Sequence, residues 1–170
     1  ASTLSRKLIN FAASSLLAIS FALASHAQTF NNPLKMGAAD PFITYQNGTY
    51  YMLSTSLSNT VTIWASNSLQ TIGANPHYVF DTGGFYESAE LYQFNGLWYI
   101  YYTQYPNTVK VLESNNGDPL GGYHAKATLT TNTYDASLLQ MPGGGLYLMG
   151  STYGSLVIQP TSNPYTGSGG

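Results

Sequence analysis

The sequence contains no cysteine and few charged residues, and both shortages restrict its function. Without cysteine, disulfides, thiol nucleophiles and thiolate metal sites are excluded. Lysine, arginine, aspartate and glutamate together make up only 7% of the chain. From residue 28 onward, three lysines and no arginine stand against seven acidic residues, which gives a net charge of −4. Nucleic acids and anionic membranes require a basic surface, so neither is expected as a partner.

Tyrosine is abundant, with fifteen copies, and serine, threonine and asparagine supply most of the other polar groups. Such a surface suits neutral, hydroxyl-rich ligands. The sequence has no Gly-x-Ser-x-Gly elbow, no phosphate-binding Walker loop and no histidine pair at zinc spacing. The corresponding hydrolase, nucleotide and zinc chemistries therefore have no support.

The first 27 residues have the features of a secretory signal peptide. A basic start, Arg6-Lys7, precedes an apolar stretch over residues 8–24 and the small, spaced residues Ser25-His26-Ala27. We therefore expect a cleaved signal at residues 1–27 and a secreted, extracellular mature chain. A membrane anchor is the alternative, because the apolar stretch is about as long as the shortest spanning helices.

A repeat of 48 residues organises the rest of the chain. Gly48, Gly96 and Gly144 each open an aromatic strand pattern, and a Ser-Asn pair recurs with the same step. The pairs are Ser66-Asn67, Ser114-Asn115 and Ser162-Asn163. A period of this length in a chain of β patterns is typical of a four-stranded propeller blade. The sequence therefore predicts an all-β partial β-propeller of about three blades over residues 28–170.

Turn residues separate short strand patterns within each copy. Asn47-Gly48 and Asn95-Gly96 predict tight hairpins, and residues 142–145 give a looser turn in the third copy. The predicted strands cover 42–45, 50–55, 61–65, 91–94, 98–103, 109–112, 137–141, 146–149 and 156–159. The segments 67–87 and 115–134 are each long enough for one outer strand, and no amphipathic helix is predicted.

Three blades cannot close a ring, because closed propellers have roughly four to eight. We therefore expect the chain to be part of a longer protein. Assembly of a ring from several copies is the alternative.

An acidic residue stands near the start of each copy, at Asp40, Glu90 and Asp135. A radial arrangement would bring these residues together at one end of the central channel. Carboxylates in an aromatic-lined pocket suit glycoside hydrolysis, in which one acid protonates the leaving oxygen and another, ionised, activates water. Aspartates that bond their own turn are the structural alternative. A Ca²⁺ site is a third, although the Asp-x-Asx-x-Asx spacing is absent.

Several short segments carry a family resemblance, namely Ala39-Asp40-Pro41-Phe42-Ile43 and residues 47–51, 89–91, 95–103 and 134–137. In combination they resemble glycoside hydrolase family 43, from about residue 32 onward. The resemblance implies a five-bladed propeller that hydrolyses arabinan, arabinoxylan or xylo-oligosaccharides with inversion at the anomeric carbon.

The resemblance also implies roles for the three acids. Asp40 matches the general base, and Asp135 matches the aspartate that raises the pKa of the general acid and orients it. Glu90 matches the acid of the family's Trp-Ala-Pro-Glu/Asp segment, which lines the sugar pocket. Here Glu87 replaces the tryptophan of that segment and Ala89 the proline. The general acid itself is a glutamate of the fourth blade, so the 170 residues alone are expected to be inactive.

The expected protein is therefore a secreted inverting glycosidase that acts on α-L-arabinofuranosyl or β-xylosyl linkages in plant cell-wall polysaccharide. It is expected to be a monomer without a cofactor, and a structural Ca²⁺ in the complete protein is left open. A non-catalytic carbohydrate-binding propeller is the main alternative. A structural or adhesive repeat protein is another, in which the three acids would not share a pocket.

Overall fold

The computed structural model describes residues 31–55, 58–130 and 133–166, so the signal peptide expected at residues 1–27 lies outside the described residues. The described residues form three antiparallel sheets, each built from strands consecutive in sequence. We call these sheets the first, second and third blades. Within these ranges, no helix is long and apolar enough to cross a membrane.

The first blade is a four-stranded meander. Its strands are β1 (Ala39–Gln46), β2 (Thr49–Thr55), β3 (Thr60–Ser66) and β4 (Pro76–Asp81). Asn47 and Gly48 connect β1 to β2 with φ angles of 50° and 84°. Positive φ at both central residues is what a type I′ hairpin turn requires. The predicted Asn-Gly hairpin is therefore confirmed.

The second blade repeats this arrangement with four strands. They are β5 (Tyr86–Phe94), β6 (Leu97–Gln104), β7 (Thr108–Ser114) and β8 (Tyr123–Thr130). Asn95 and Gly96 form the hairpin turn, with φ angles of 50° and 82°. The outer strands β4 and β8 lie in the two long segments for which an outer strand was predicted.

The third blade has three strands, in the order β11-β10-β9. They are β9 (Tyr134–Gln140), β10 (Leu146–Thr152) and β11 (Ser155–Thr161). The turn between β9 and β10 is longer than in the other blades, as the glycine run predicts. In it, the Met141 N–H donates to the Gly145 carbonyl at 2.8 Å, and Gly144 has a φ of 88°.

A short 3₁₀ helix, Leu69–Ala74, lies between β3 and β4 and was not predicted. The Ser68 hydroxyl caps it by accepting the Gln70 N–H at 3.2 Å. Ile72 is buried in a cluster with Met52 and Trp64 of the first blade. A short helix of this kind depends on tertiary burial more than on local pattern, so periodicity gives no signal for it.

Two apolar layers hold the blades together. Leu53 and Ile63 of the first blade pack with Ile100 and Leu112 of the second. The opposite face of the second blade packs against Ala136, Leu138 and Leu148 of the third blade through residues Tyr101, Val109 and Val111. The first strands β1, β5 and β9 lie side by side, since β1 contacts β5 and β5 contacts β9. The blades are therefore arranged as consecutive blades of a propeller, as the repeat predicts.

Candidate active site

Each blade has a β-bulge at the start of its first strand. In β1, Ala39 pairs with Thr55 and Phe42 with Leu53, so two residues lie opposite Ser54 alone. The same register shift occurs in β5 and β9. The bulged pairs are Asp40 and Pro41, Ser88 and Ala89, and Asp135 and Ala136. Bulges of this kind bend a strand and re-aim a side chain, and they occur often beside active sites.

The first residue of each bulge has a left-handed backbone. The φ angles are 48° at Asp40, 51° at Ser88 and 53° at Asp135. Such angles are uncommon for residues other than glycine, and short polar side chains such as aspartate tolerate them best. Asp40, Ser88 and Asp135 are therefore the structurally equivalent residues of the three blades.

Glu90, the acid that stands near the start of the second copy, is therefore not the structural equivalent of Asp40 and Asp135. Glu90 lies two residues beyond Ser88, after the bulge, so the repeat carries an aspartate in two blades and a serine in one. The signal was present in the sequence, since a step of 48 residues from Asp40 leads to Ser88. Sequence reasoning missed Ser88 because it followed the carboxylates and not the spacing.

The three acids nevertheless share one cavity, as the radial arrangement predicts. The cavity has a volume of about 250 Å³ and is lined by Asp40, Pro41, Phe42, Ser88, Glu90 and Asp135. The acids come from β1, β5 and β9, the first strands of the three blades. The structure differs in this respect from the repeat-protein alternative, in which the three acids would not share a pocket.

Asp40 is exposed and held from one side. The Thr55 hydroxyl, at the end of β2, donates to Asp40 Oδ2 at 2.7 Å. Among the described residues, the other carboxylate oxygen, Oδ1, has no hydrogen-bond partner. One oxygen is therefore held by Thr55, and Asp40 as a residue lines the cavity and is exposed to solvent.

Glu90 is the most enclosed of the three acids. The Tyr92 hydroxyl donates to Glu90 Oε2 and accepts the Leu138 N–H of the third blade at 3.1 Å. Burial raises the pKa of Glu90 above its usual value. Hydrogen bonds from Tyr92 and Ser137 act against this rise in pKa, and the nearby charge of Asp135 adds to it.

Asp135 is tied to the second blade by two hydrogen bonds. Its Oδ1 accepts the Ser88 hydroxyl at 2.6 Å, and its N–H donates to Thr103 Oγ1 at 2.8 Å. The carboxylate and the backbone of this residue are thus both fixed by a neighbouring blade.

The two departures from the family segment lie away from the cavity wall. Ala89 is fully buried in the apolar layer between the first and second blades. Glu87 is half-buried, pairs with Thr103 across the sheet and is not a lining residue. For the described ranges, no group of three histidine, cysteine or acidic side chains could hold a metal ion.

The partial propeller gathers acids from successive blades into one cavity, and glycoside hydrolysis uses a pair of such acids. The sequence model of Glycosyl hydrolases family 43 matches residues 30–170, and the chain belongs to this family. No match was found among curated proteins.

Solved structures confirm the propeller fold. The α-L-arabinofuranosidase from Lactobacillus brevis has a TM-score of 0.74 and 20% identity, over 85% of this chain and 55% of its own. An exo-1,5-α-L-arabinanase from a bovine ruminal metagenomic library has a TM-score of 0.62 and 16% identity, over 84% and 57%. A xylan β-1,4-xylosidase from Bacillus halodurans C-125 has a TM-score of 0.63 and 16% identity, over 80% and 31%. The chain thus spans little more than half the length of the first two.

Proposed function

We propose that this chain is part of the catalytic domain of a secreted, inverting glycoside hydrolase. Its proposed substrates are α-L-arabinofuranosyl or β-xylosyl linkages in plant cell-wall polysaccharide. The observation that carries the proposal is the single cavity lined by acids from three blades. Family membership supports it, as do fold relatives that include an arabinofuranosidase, an arabinanase and a xylosidase.

Asp40 acts as the general base in this proposal. The Thr55 hydroxyl holds Oδ2, which leaves Oδ1 to accept a proton from the attacking water. The water then adds to the anomeric carbon on the face opposite the leaving oxygen, which inverts the configuration. Asp40 is exposed and lines the cavity, so the attacking water can reach it from solvent.

The reaction also needs an acid that protonates the leaving oxygen. We assign this role to a glutamate outside residues 1–170, on the blade that follows the third, and assign its orientation to Asp135. Glu90 lines the cavity and is held by Tyr92. Its proposed role is to hydrogen-bond the sugar hydroxyls and not to transfer the proton.

Secretion is proposed from residues 1–27. If the signal is cleaved as expected, N-terminal sequencing of the exported protein begins at Gln28. An exported chain that retains the apolar stretch at residues 8–24 would favour the membrane anchor instead.

The test of function compares the uninterrupted gene product with its Asp40→Asn variant on arabinan and arabinoxylan. Loss of the base is expected to lower kcat by about 10² to 10⁴. Asp118→Asn is the control, since Asp118 is exposed and outside the cavity. The anomeric configuration of the first product, followed by proton NMR, tests inversion.

Unchanged turnover in Asp40→Asn would refute the assignment of the base. A product that retains its configuration would refute inversion. Sugar binding without turnover in the parent protein would favour the non-catalytic carbohydrate-binding propeller.

A further inference from the structure

A continuous chain of hydrogen bonds crosses the three blades at the cavity. Thr55 Oγ1 accepts the Ser88 N–H at 2.7 Å and donates to Asp40 Oδ2 at 2.7 Å. A hydroxyl has a single proton, and the backbone N–H occupies one of its oxygen lone pairs. A carboxylate oxygen accepts, so the proton of Thr55 goes to Asp40, while the Ser88 N–H holds the Thr55 oxygen from the other side.

Ser88 continues the chain into the third blade. Its hydroxyl donates to Asp135 Oδ1 at 2.6 Å, and the Asp135 N–H donates to Thr103 Oγ1 at 2.8 Å. We call this series, which contains Asp40, Thr55, Ser88, Asp135 and Thr103, the inter-blade hydrogen-bond chain. Ser88 is its central member, since its backbone acts toward Asp40 and its side chain toward Asp135.

The residue type at position 88 fits this place. The bulge gives Ser88 the same left-handed backbone as Asp40 and Asp135. An aspartate here would bring another carboxylate beside Asp135 and Glu90 in the same cavity, and like charges at short range repel each other. A serine supplies a proton donor instead, and charge-assisted hydrogen bonds to a carboxylate are among the strongest in proteins.

We propose that Ser88 is a positioning residue that orients Asp135 directly and Asp40 through Thr55, so that two carboxylates on different blades keep one relative geometry. The role assumes the proposed glycosidase function, because it concerns the reactive geometry of those two carboxylates. Ser88 itself need not touch the reacting atoms. Small errors in the placement of catalytic groups cost large factors in rate, which gives such a residue a measurable effect.

The experiment uses three substitutions in the uninterrupted protein. Ser88→Ala removes the hydroxyl donor. Ser88→Asn and Ser88→Asp form a matched pair of nearly equal shape, both compatible with positive φ, of which only the asparagine can donate to Asp135. We expect kcat to fall about tenfold to a hundredfold in Ser88→Ala, with KM changed little. Ser88→Asn is expected to recover most of the lost kcat, and Ser88→Asp none of it.

A second readout does not depend on activity. Crystal structures of the variants are expected to show the Asp135 carboxylate turned from its parental orientation in Ser88→Ala and Ser88→Asp, and kept in Ser88→Asn. Thermal unfolding of each variant checks that the fold is retained. A misfolded alanine variant leaves the asparagine and aspartate pair to decide the question.

Several outcomes would overturn the inference. Parental kcat in Ser88→Ala would show that the hydroxyl positions nothing that matters for rate. A raised KM with unchanged kcat would show that Ser88 binds the sugar instead. If the parent protein hydrolyses no arabinoside or xyloside, the proposed function fails, and the orientation of Asp135 in the three crystal structures still decides whether Ser88 positions it.

Discussion

Strands β7 and β11 are the third strands of the second and third blades. They occupy the same place in the repeat but differ in burial. In β7, most side chains are buried, because β7 lies between apolar layers on both of its faces. In β11, Leu156 is 88% exposed, and Val157 and Ile158 are also exposed. The repeat thus determines the backbone of a blade. The blades packed against it determine how much an equivalent strand contributes to the free energy of unfolding.

The largest effect is expected from leucine truncation in these two strands. Leu112 of β7 is 0% exposed, so Leu112→Ala should lower the free energy of unfolding by about 2–5 kcal/mol. Leu156→Ala should change it by less than about 0.5 kcal/mol in the 170-residue chain. Urea unfolding of both variants measures the difference. A large loss in Leu156→Ala would break the comparison, because it would mean that a further surface covers β11.

A smaller effect is expected from the hydroxyls at the ends of the second strands. Thr103 is buried and accepts the Asp135 N–H, so Thr103→Val leaves that donor unpaired and should cost about 1–3 kcal/mol. Ser151 holds the equivalent place in β10, where its hydroxyl donates to the adjacent Thr152 carbonyl at 3.4 Å. Ser151→Ala should cost less than about 0.5 kcal/mol. Equal losses in the two variants, measured by urea unfolding, would contradict this difference between the blades.

The smallest expected effect is electrostatic, where Glu90 of the second blade faces Asp135 and Ser137 of the third. Burial raises the pKa of Glu90 above its usual value of 4.5. Between that value and the raised pKa, the folded chain binds more protons than the unfolded chain, so the free energy of unfolding falls as pH rises through this window. Glu90→Gln cannot titrate, and its free energy of unfolding should therefore fall less with rising pH above 4.5.

Urea unfolding at a series of pH values measures this dependence. Glu87→Gln removes the same charge outside the cavity and serves as the matched control. Parallel pH dependence in the parent and Glu90→Gln proteins would show that burial in the cavity does not raise the pKa of Glu90.

The sequence predicted the hairpins and strands well because their signals are local. Asn47-Gly48 specifies its turn through the positive φ that both residues tolerate. The bulges had no comparable signal, since a left-handed serine such as Ser88 is not a recognised turn pattern. The bond from the Ser88 N–H to Thr55 joins residues 33 positions apart on different blades. Only the packed structure brings such groups together.

The candidate site was predicted in part for the same reason. Convergence of Asp40, Glu90 and Asp135 followed from the radial repeat, and the cavity contains all three. The equivalence of Ser88 with Asp40 and Asp135 was not predicted, because only the acids near the start of each copy were compared. Their roles in catalysis stay predictions until the Asp40 and Ser88 variants are measured.

The left-handed bulge residue has a consequence for how such a protein can change. In all three blades, the first residue of the bulge has the same left-handed backbone and lies at the common cavity. Each of these positions accepts a short polar side chain at little conformational cost. At any one of these bulge positions, a carboxylate can thus replace a hydroxyl, or a hydroxyl a carboxylate, without moving the strands around it. The strands thus set the backbone of each bulge, and the side chain at its first position sets the chemistry. Single substitutions at these positions can therefore change the chemistry of the cavity without changing the fold.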